Sequence, residues 1–161
     1  MKMGEDRKLR VQCHWPDLDH DVLAVSGVVQ HTGQVVARRA RKVMRKHDLN
    51  PTEFEVLMIL RTESEGKPMT PSMLYDALVI SSGGMTQVLR SLEEKGLVTR
   101  PEGAEDKRSR PVAITEAGIA LGDVALRQVE AEERRAFAET GLTRKELDTL
   151  LSLLVRYDGM L

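Results

Sequence analysis

At Gly96 the sequence changes its period, and that change constrains the fold more than any other feature of the chain. From Ser82 to Lys95 the apolar residues Met85, Val88, Leu89 and Leu92 recur at helical spacing. After Gly96, Leu97 to Arg100 and Pro111 to Ile114 read as extended runs on either side of a charged turn, which predicts a β-hairpin. Upstream, Thr70 is an N-cap residue with Pro71 at the first helical position, where a missing N–H costs nothing. Met73, Leu74, Ala77 and Leu78 then form an apolar face. The short link Val79-Ile80-Ser81 leads to Ser82, a second N-cap residue, and Gly96 stops the second helix just after Lys95. Helix, turn, helix and hairpin in direct succession predict a winged helix-turn-helix, a unit suited to reading DNA.

Read at 3.6 residues per turn, the second helix carries two chemistries. Met85, Val88, Leu89 and Leu92 face inward. Gly83, Thr86, Gln87, Arg90 and, further round, Ser91 point away, and their polar groups can bond base edges and phosphates. Gln87 and Arg90 are the expected base readers. Gly83 and Gly84 each weaken a helix by about 1 kcal/mol relative to Ala. Close backbone approach to a phosphate would justify both, and a loose helix start is the alternative. Thr70, Ser72, Ser81 and Ser82, at the starts of the two helices, complete the DNA-contacting set there. The hairpin tip contributes Lys107, Arg108, Ser109 and Arg110, cations and a hydroxyl able to enter a minor groove or lie along phosphates, with Asp106 orienting Arg108. A solvated charged loop is the plainer reading of that tip.

At these residues the chain resembles the MarR family of bacterial transcription regulators. The segment from Met85 to Val98 looks like the family's recognition helix running into its first wing strand, and Asp106-Lys107-Arg108-Ser109 is similar to its wing signature. Leu49 to Leu57 resembles the start of its second helix, and Leu142-Thr143 through Leu151 its last. The similarity covers most of the chain after Asp17. It implies a homodimer joined through first and last helices that binds pseudopalindromic operators. It also implies a repressor released by a small molecule held between the dimerisation helices and the winged helix. Trp15 resembles the N-terminal tryptophan of the urate-responsive branch, which joins it to an acid on the second helix and an arginine on the recognition helix. Glu55 stands for the acid, and Gln87 stands where that branch has arginine. With that arginine missing, packing is the plainer role for Trp15.

Elsewhere the chain reads as helices that need partners. Asp17 to about Lys46 carries Leu18, Val22, Val25, Val28, Val29, Thr32, Val36, Ala40 and Val43 as one long stripe. Asp17, Asp19 and Asp21 at its start, and Arg38, Arg39, Arg41, Lys42, Arg45 and Lys46 at its end, suit the helix dipole. Asn50 and Pro51 open a second helix, with Glu53 completing a capping-box pattern; Phe54 to Leu60 is apolar nearly all round, as a central core helix requires. Gly66 ends that region, and Lys67 to Met69 is a short edge-strand candidate. Thr115 caps a long helix reaching roughly Glu139, with Leu121, Val124, Ala125 and Val129 on its apolar side. After Gly141, Thr143 and Glu146 make another capping box, and Leu147, Leu150, Leu151, Leu154 and Tyr157 form a stripe.

The expected fold is therefore mainly α with a small β-hairpin wing, one domain over residues 1–161. The winged helix-turn-helix occupies 50–115, and 17–49 and 116–161 supply N- and C-terminal dimerisation helices. Composition matters at this point. With only 3% aromatic residues the core has to be aliphatic, and a net charge of −1 means that attraction to DNA must come from local clustering. One cysteine excludes an internal disulfide framework, and four scattered histidines give no metal-ligand spacing. No cofactor is expected. Nucleophile triads, phosphate-loop glycines and paired metal ligands are all missing, which argues against an enzyme. Met1 to Arg10 has no apolar run, and no stretch is long enough to span a bilayer, so the expectation is a cytoplasmic protein without membrane contact. The expected partners are double-stranded DNA, a second copy of the chain and a small-molecule effector. Two alternatives stay open: a winged-helix protein-interaction module without DNA binding, and a thiol-based redox regulator using Cys13, which lies beside His14. Peroxide-sensing members of the family carry their cysteine inside the first long helix, whereas Cys13 precedes Asp17.

Overall fold

The computed structural model describes residues 10–64, 67–78, 82–101 and 110–159, with backbone only at 82 and 83. Expectations for Gly66, the link 79–81 and the wing tip 102–109 lie outside the described residues. The chain forms two compact units, Met1–Pro51 and Thr52–Leu161.

In the first unit a helical turn at 10–14 precedes α1, His20–Met44. The sequence suggested a start at Asp17, but Asp19 is the residue that caps α1. Its Oδ1 accepts from the backbone N–H groups of Asp21 and Val22 at 3.1 and 3.0 Å, two donors that lack helical partners. Between turn and helix the chain is pinned at Trp15, whose N–H donates to Val11 C=O at 2.8 Å and whose carbonyl is 2.8 Å from His20 Nε2. A 3₁₀ turn, Arg45–His47, follows α1 before Asp48 adopts the left-handed conformation at φ 53° and ends the run. Leu18, Val22, Leu23, Val25 and Val28 are exposed in the single chain.

The second unit contains α2 (Pro51–Thr62), α3 (Pro71–Ala77), α4 (Ser82–Glu94), β1 (Val98–Thr99), β2 (Ala113–Ile114), α5 (Glu116–Thr140) and α6 (Arg144–Asp158). As its all-round apolar sequence requires, α2 is central: Phe54, Val56, Leu57 and Leu60 are buried. They share a mainly aliphatic core with Leu74 from α3 and Leu78 just beyond its end, Met85, Leu89 and Leu92 from α4, and Ala125 from α5. The seam on α3 is narrower than expected. Leu74 and Leu78, four residues apart, are buried, whereas Met73 and Ala77 lie about 100° round the helix and are exposed.

The end of α4 explains why the period changes at Gly96. Gly96 takes φ 69°, its N–H donates to Glu93 C=O at 2.9 Å, and the N–H of Leu97 donates to Leu92 C=O at 2.9 Å. This is a Schellman motif, complete with its apolar pair, because Leu92 and Leu97 are both buried. The chain then runs straight into β1. The antiparallel hairpin is shorter than the sequence suggested, with Val98 opposite Ile114 and Thr99 opposite Ala113. Met69 adds a bridge to Val112, so the edge-strand candidate at Lys67–Met69 does pair with the hairpin. Thr115 joins hairpin to helix twice over: its Oγ1 accepts from Gly118 N–H at 3.1 Å, capping α5, and donates to Gly96 C=O at 2.8 Å. α5 ends at Gly141, left-handed at φ 70°, and α6 starts from the expected Thr143–Glu146 capping box.

Candidate nucleic-acid interface

α4 is held so that one face cannot leave the core and the other cannot enter it. Met85, Leu89 and Leu92 are buried and Val88 half-buried, while Thr86, Gln87 and Arg90 are exposed. The exposed three line a shallow open concavity with Ser91 and Glu94. Arg90 is not loose there, since its Nε donates to Glu94 Oε1 at 2.8 Å, an i,i+4 ion pair in which both side chains are mostly exposed. Such a pair is worth only about 0.3–0.5 kcal/mol, so it orders the guanidinium without preventing its transfer to a base or phosphate.

Ser91 behaves differently from its sequence reading. It is half-buried, and its Oγ donates to Glu53 Oε1 at 2.6 Å. Glu53, read as the capping acid of α2, has its carboxylate buried at 2% exposure between α2 and α4. Lys95 Nζ donates to both of its oxygens at 3.1 Å. Position along α2 gave no hint of this, because an acid in the first turn of a helix reads as a capping residue. The partners themselves lie 38 and 42 residues away, beyond the reach of local patterning.

At the helix starts, Thr70 caps α3 by accepting from Met73 N–H at 3.3 Å, and Ser72 is exposed one residue into that helix beyond Pro71. Ser82 and Gly83 form the first turn of α4, and Gly84 is half-buried. Ser81, Asp106, Lys107, Arg108 and Ser109 lie outside the described residues. The base of the wing is described, and an arginine missed by the sequence reading organises it. Arg100 donates through Nε to Glu93 on α4 and through Nη1 to the carbonyl of Arg110, each at 3.3 Å, so it ties the end of α4 to both arms of the wing.

Trp15 and Glu55 belong to different units and are each exposed. The Trp15 ring lies 5.7 Å from that of His14. Cys13 is exposed with a free thiol. Among the described residues no group of His, Cys, Asp and Glu side chains is arranged to hold a metal ion, and no helix is long and apolar enough to cross a membrane.

Comparison with known proteins agrees with this geometry. A sequence profile described as the MarR family matches residues 47–109, the stretch from the foot of α2 into the wing. The HTH-type transcriptional regulator PecS of Dickeya dadantii (strain 3937) is 32% identical over 106 residues, covering 66% of this chain and 64% of PecS. An uncharacterized HTH-type transcriptional regulator, YkoM of Bacillus subtilis (strain 168), is 32% identical over 119 residues, 74% of each chain. Among solved structures, a MarR mutant from E. coli complexed with operator DNA superposes with a TM-score of 0.69 at 26% identity, covering 88% of this chain and 98% of that one. Family members are transcription regulators rather than enzymes. With this fold, this helix and wing, and these relatives, the chain belongs to the MarR family of transcription regulators.

Proposed function

We propose that this protein is a sequence-specific DNA-binding regulator that acts as a homodimer on pseudopalindromic operators, as a repressor released by a small-molecule effector. The observation that carries the reading is the division of α4, with Thr86, Gln87 and Arg90 exposed on one face and the aliphatic core anchoring the other. The E. coli MarR mutant complexed with operator DNA supports it. In the dimer, residues 17–49 and 116–161 of two chains make the interface. The two copies of α4 then meet successive major grooves roughly 34 Å apart. Gln87 and Arg90 read base edges. Thr70, Ser72, Ser81, Ser82, Gly83, Gly84 and Thr86 meet the backbone, and Lys107, Arg108, Ser109 and Arg110 carry the wing, with Asp106 orienting Arg108. Chromosomal DNA as the partner places the protein in the cytoplasm.

Selection of bound duplexes from a random pool, followed by titration of the selected operator, tests this reading. Gln87→Ala or Arg90→Ala should each relax preference at particular operator positions by about 1–3 kcal/mol. A uniform loss on all sequences would make these residues phosphate contacts. No binding to duplex DNA at moderate salt would leave a protein-interaction module.

A further inference from the structure

The apolar contacts of α4 hold it against the core and set which face points inward, but burial alone fixes its rotation about its own axis only coarsely. Met85, Leu89 and Leu92 are unbranched or γ-branched side chains in an aliphatic core, and hydrophobic burial is non-directional. Rotation matters for readout. With side-chain tips roughly 5–6 Å from a helix axis, a turn of about 20° moves a tip by roughly 2 Å. Hydrogen bonds tolerate only a few tenths of an ångström around 2.9 Å, so a turn of that size costs a base contact.

We infer that Glu53 is a positioning residue for sequence readout, setting the rotation of α4 through its bonds to Ser91 and Lys95 and thereby aiming Gln87 and Arg90. Three short contacts converge on one carboxylate: Ser91 Oγ at 2.6 Å on Oε1, and Lys95 Nζ at 3.1 Å on each oxygen. Ser91 and Lys95 are one turn apart on the same stripe of α4, so the pair resists rotation as well as sliding. Gln87 continues that stripe one turn earlier, at its exposed end, and Arg90 precedes Ser91 directly. Glu53 itself is buried and belongs to the core helix α2. It therefore acts through α4 and touches no base. Charged hydrogen bonds are directional and cost more to distort than apolar contacts, which suits a buried acid to this task.

The inference rests on the DNA-binding reading, and its test separates the two. Wild type, Glu53→Gln, Ser91→Ala and the double variant Glu53→Gln with Lys95→Gln are titrated against the selected operator and against a scrambled duplex across a range of salt. Thermal unfolding identifies the temperature at which every variant is folded. Glu53→Gln should lower the operator-to-scrambled affinity ratio about tenfold and leave the salt slope unchanged, because phosphate contacts are retained. The double variant removes one charge of each sign and should show the same loss. Ser91→Ala, the milder change, should lower the ratio about threefold, and it carries the test if Glu53→Gln fails to fold. An unchanged ratio in the folded variants overturns the inference. So does a loss that disappears in the charge-neutral double variant, since charge rather than aim would then be responsible. If wild type shows no preference for the operator, the DNA-binding reading fails, and this inference with it.

Discussion

Gly118 has no room for a methyl group. A Cβ there would collide with the carbonyl oxygen of Leu97 and sit 2.9 Å from Ile114 Cγ1, so the obstacle includes backbone as well as side chain. Gly122, one turn on, would place its Cβ 2.7 Å from Met58 Cε, the end of a flexible side chain. The two glycines therefore make opposite predictions. Gly118→Ala should destabilise by about 1–3 kcal/mol through overpacking, whereas Gly122→Ala should be near neutral, its crowding offset by the roughly 1 kcal/mol that Ala gains over Gly in a helix. Urea unfolding of both variants checks the contrast; equal losses would show that the wing junction at Leu97 yields as easily as a methionine. The consequence reaches the DNA face, because Leu97 ends the Schellman turn of α4 and Ile114 pairs with Val98 across the hairpin.

At the scale of the element, local signals were legible and long-range ones were not. The N-caps at Thr70, Thr115 and Thr143, the stop at Gly96 and the break at Gly141 were all readable, because each depends on residues within one turn. The start of α1 was misplaced by three residues because Asp17, Asp19 and Asp21 all qualify as caps, and only backbone geometry selects Asp19. The Glu53 network escaped the sequence reading for the opposite reason. Its pattern is spread over two helices far apart in the chain, and a glutamate three residues after Asn50 looks like a capping acid whether or not it is needed elsewhere. In the capping box of α6, Glu146 Oε2 accepts from Thr143 Oγ1 and from Thr143 N–H, each at 2.7 Å. The side-chain bond first, and the backbone bond second, hold its carboxyl below the ordinary 4.5. Because the folded value lies below the unfolded one, the box contributes fully above about pH 4.5 and is lost as the pH falls through the depressed value. Thr143→Ala removes the hydroxyl and should bring Glu146 back toward 4.5 in an NMR carboxyl titration. The helix should also start less firmly, at a cost of about 1 kcal/mol for the lost cap. An unmoved titration curve would mean that the backbone bond carries the shift.

For the whole molecule, the decisive feature is a helix that the single chain leaves uncovered. No residue of α6 is buried, although Leu150, Leu151, Leu153, Leu154, Val155 and Tyr157 span a broad apolar arc, with Leu151 63% exposed and Val155 61%. Leu18, Val22, Val25 and Val28 in the other unit are exposed likewise. So much apolar surface on two terminal segments exceeds what a monomer ordinarily presents. A second copy is the cover we propose, and symmetry then makes every substitution act twice. Leu150→Glu combined with Leu154→Lys places charges on the centre of the arc while leaving the helix-forming tendency of α6 nearly intact. Burying a leucine is worth about 1.5–3 kcal/mol, and two leucines are affected in each protomer. The dimer dissociation constant should therefore rise at least a hundredfold, roughly 2.7 kcal/mol, by sedimentation equilibrium. The DNA result follows from the same geometry. A monomer carries one α4, so the variant should bind a single half-site as well as a full operator, and the gain from joining two half-sites should vanish. A variant that remains a dimer with an unchanged dissociation constant would remove α6 from the interface. The exposed stripe at the start of α1 would then be the remaining candidate, testable by the same charges at Val22 and Val25.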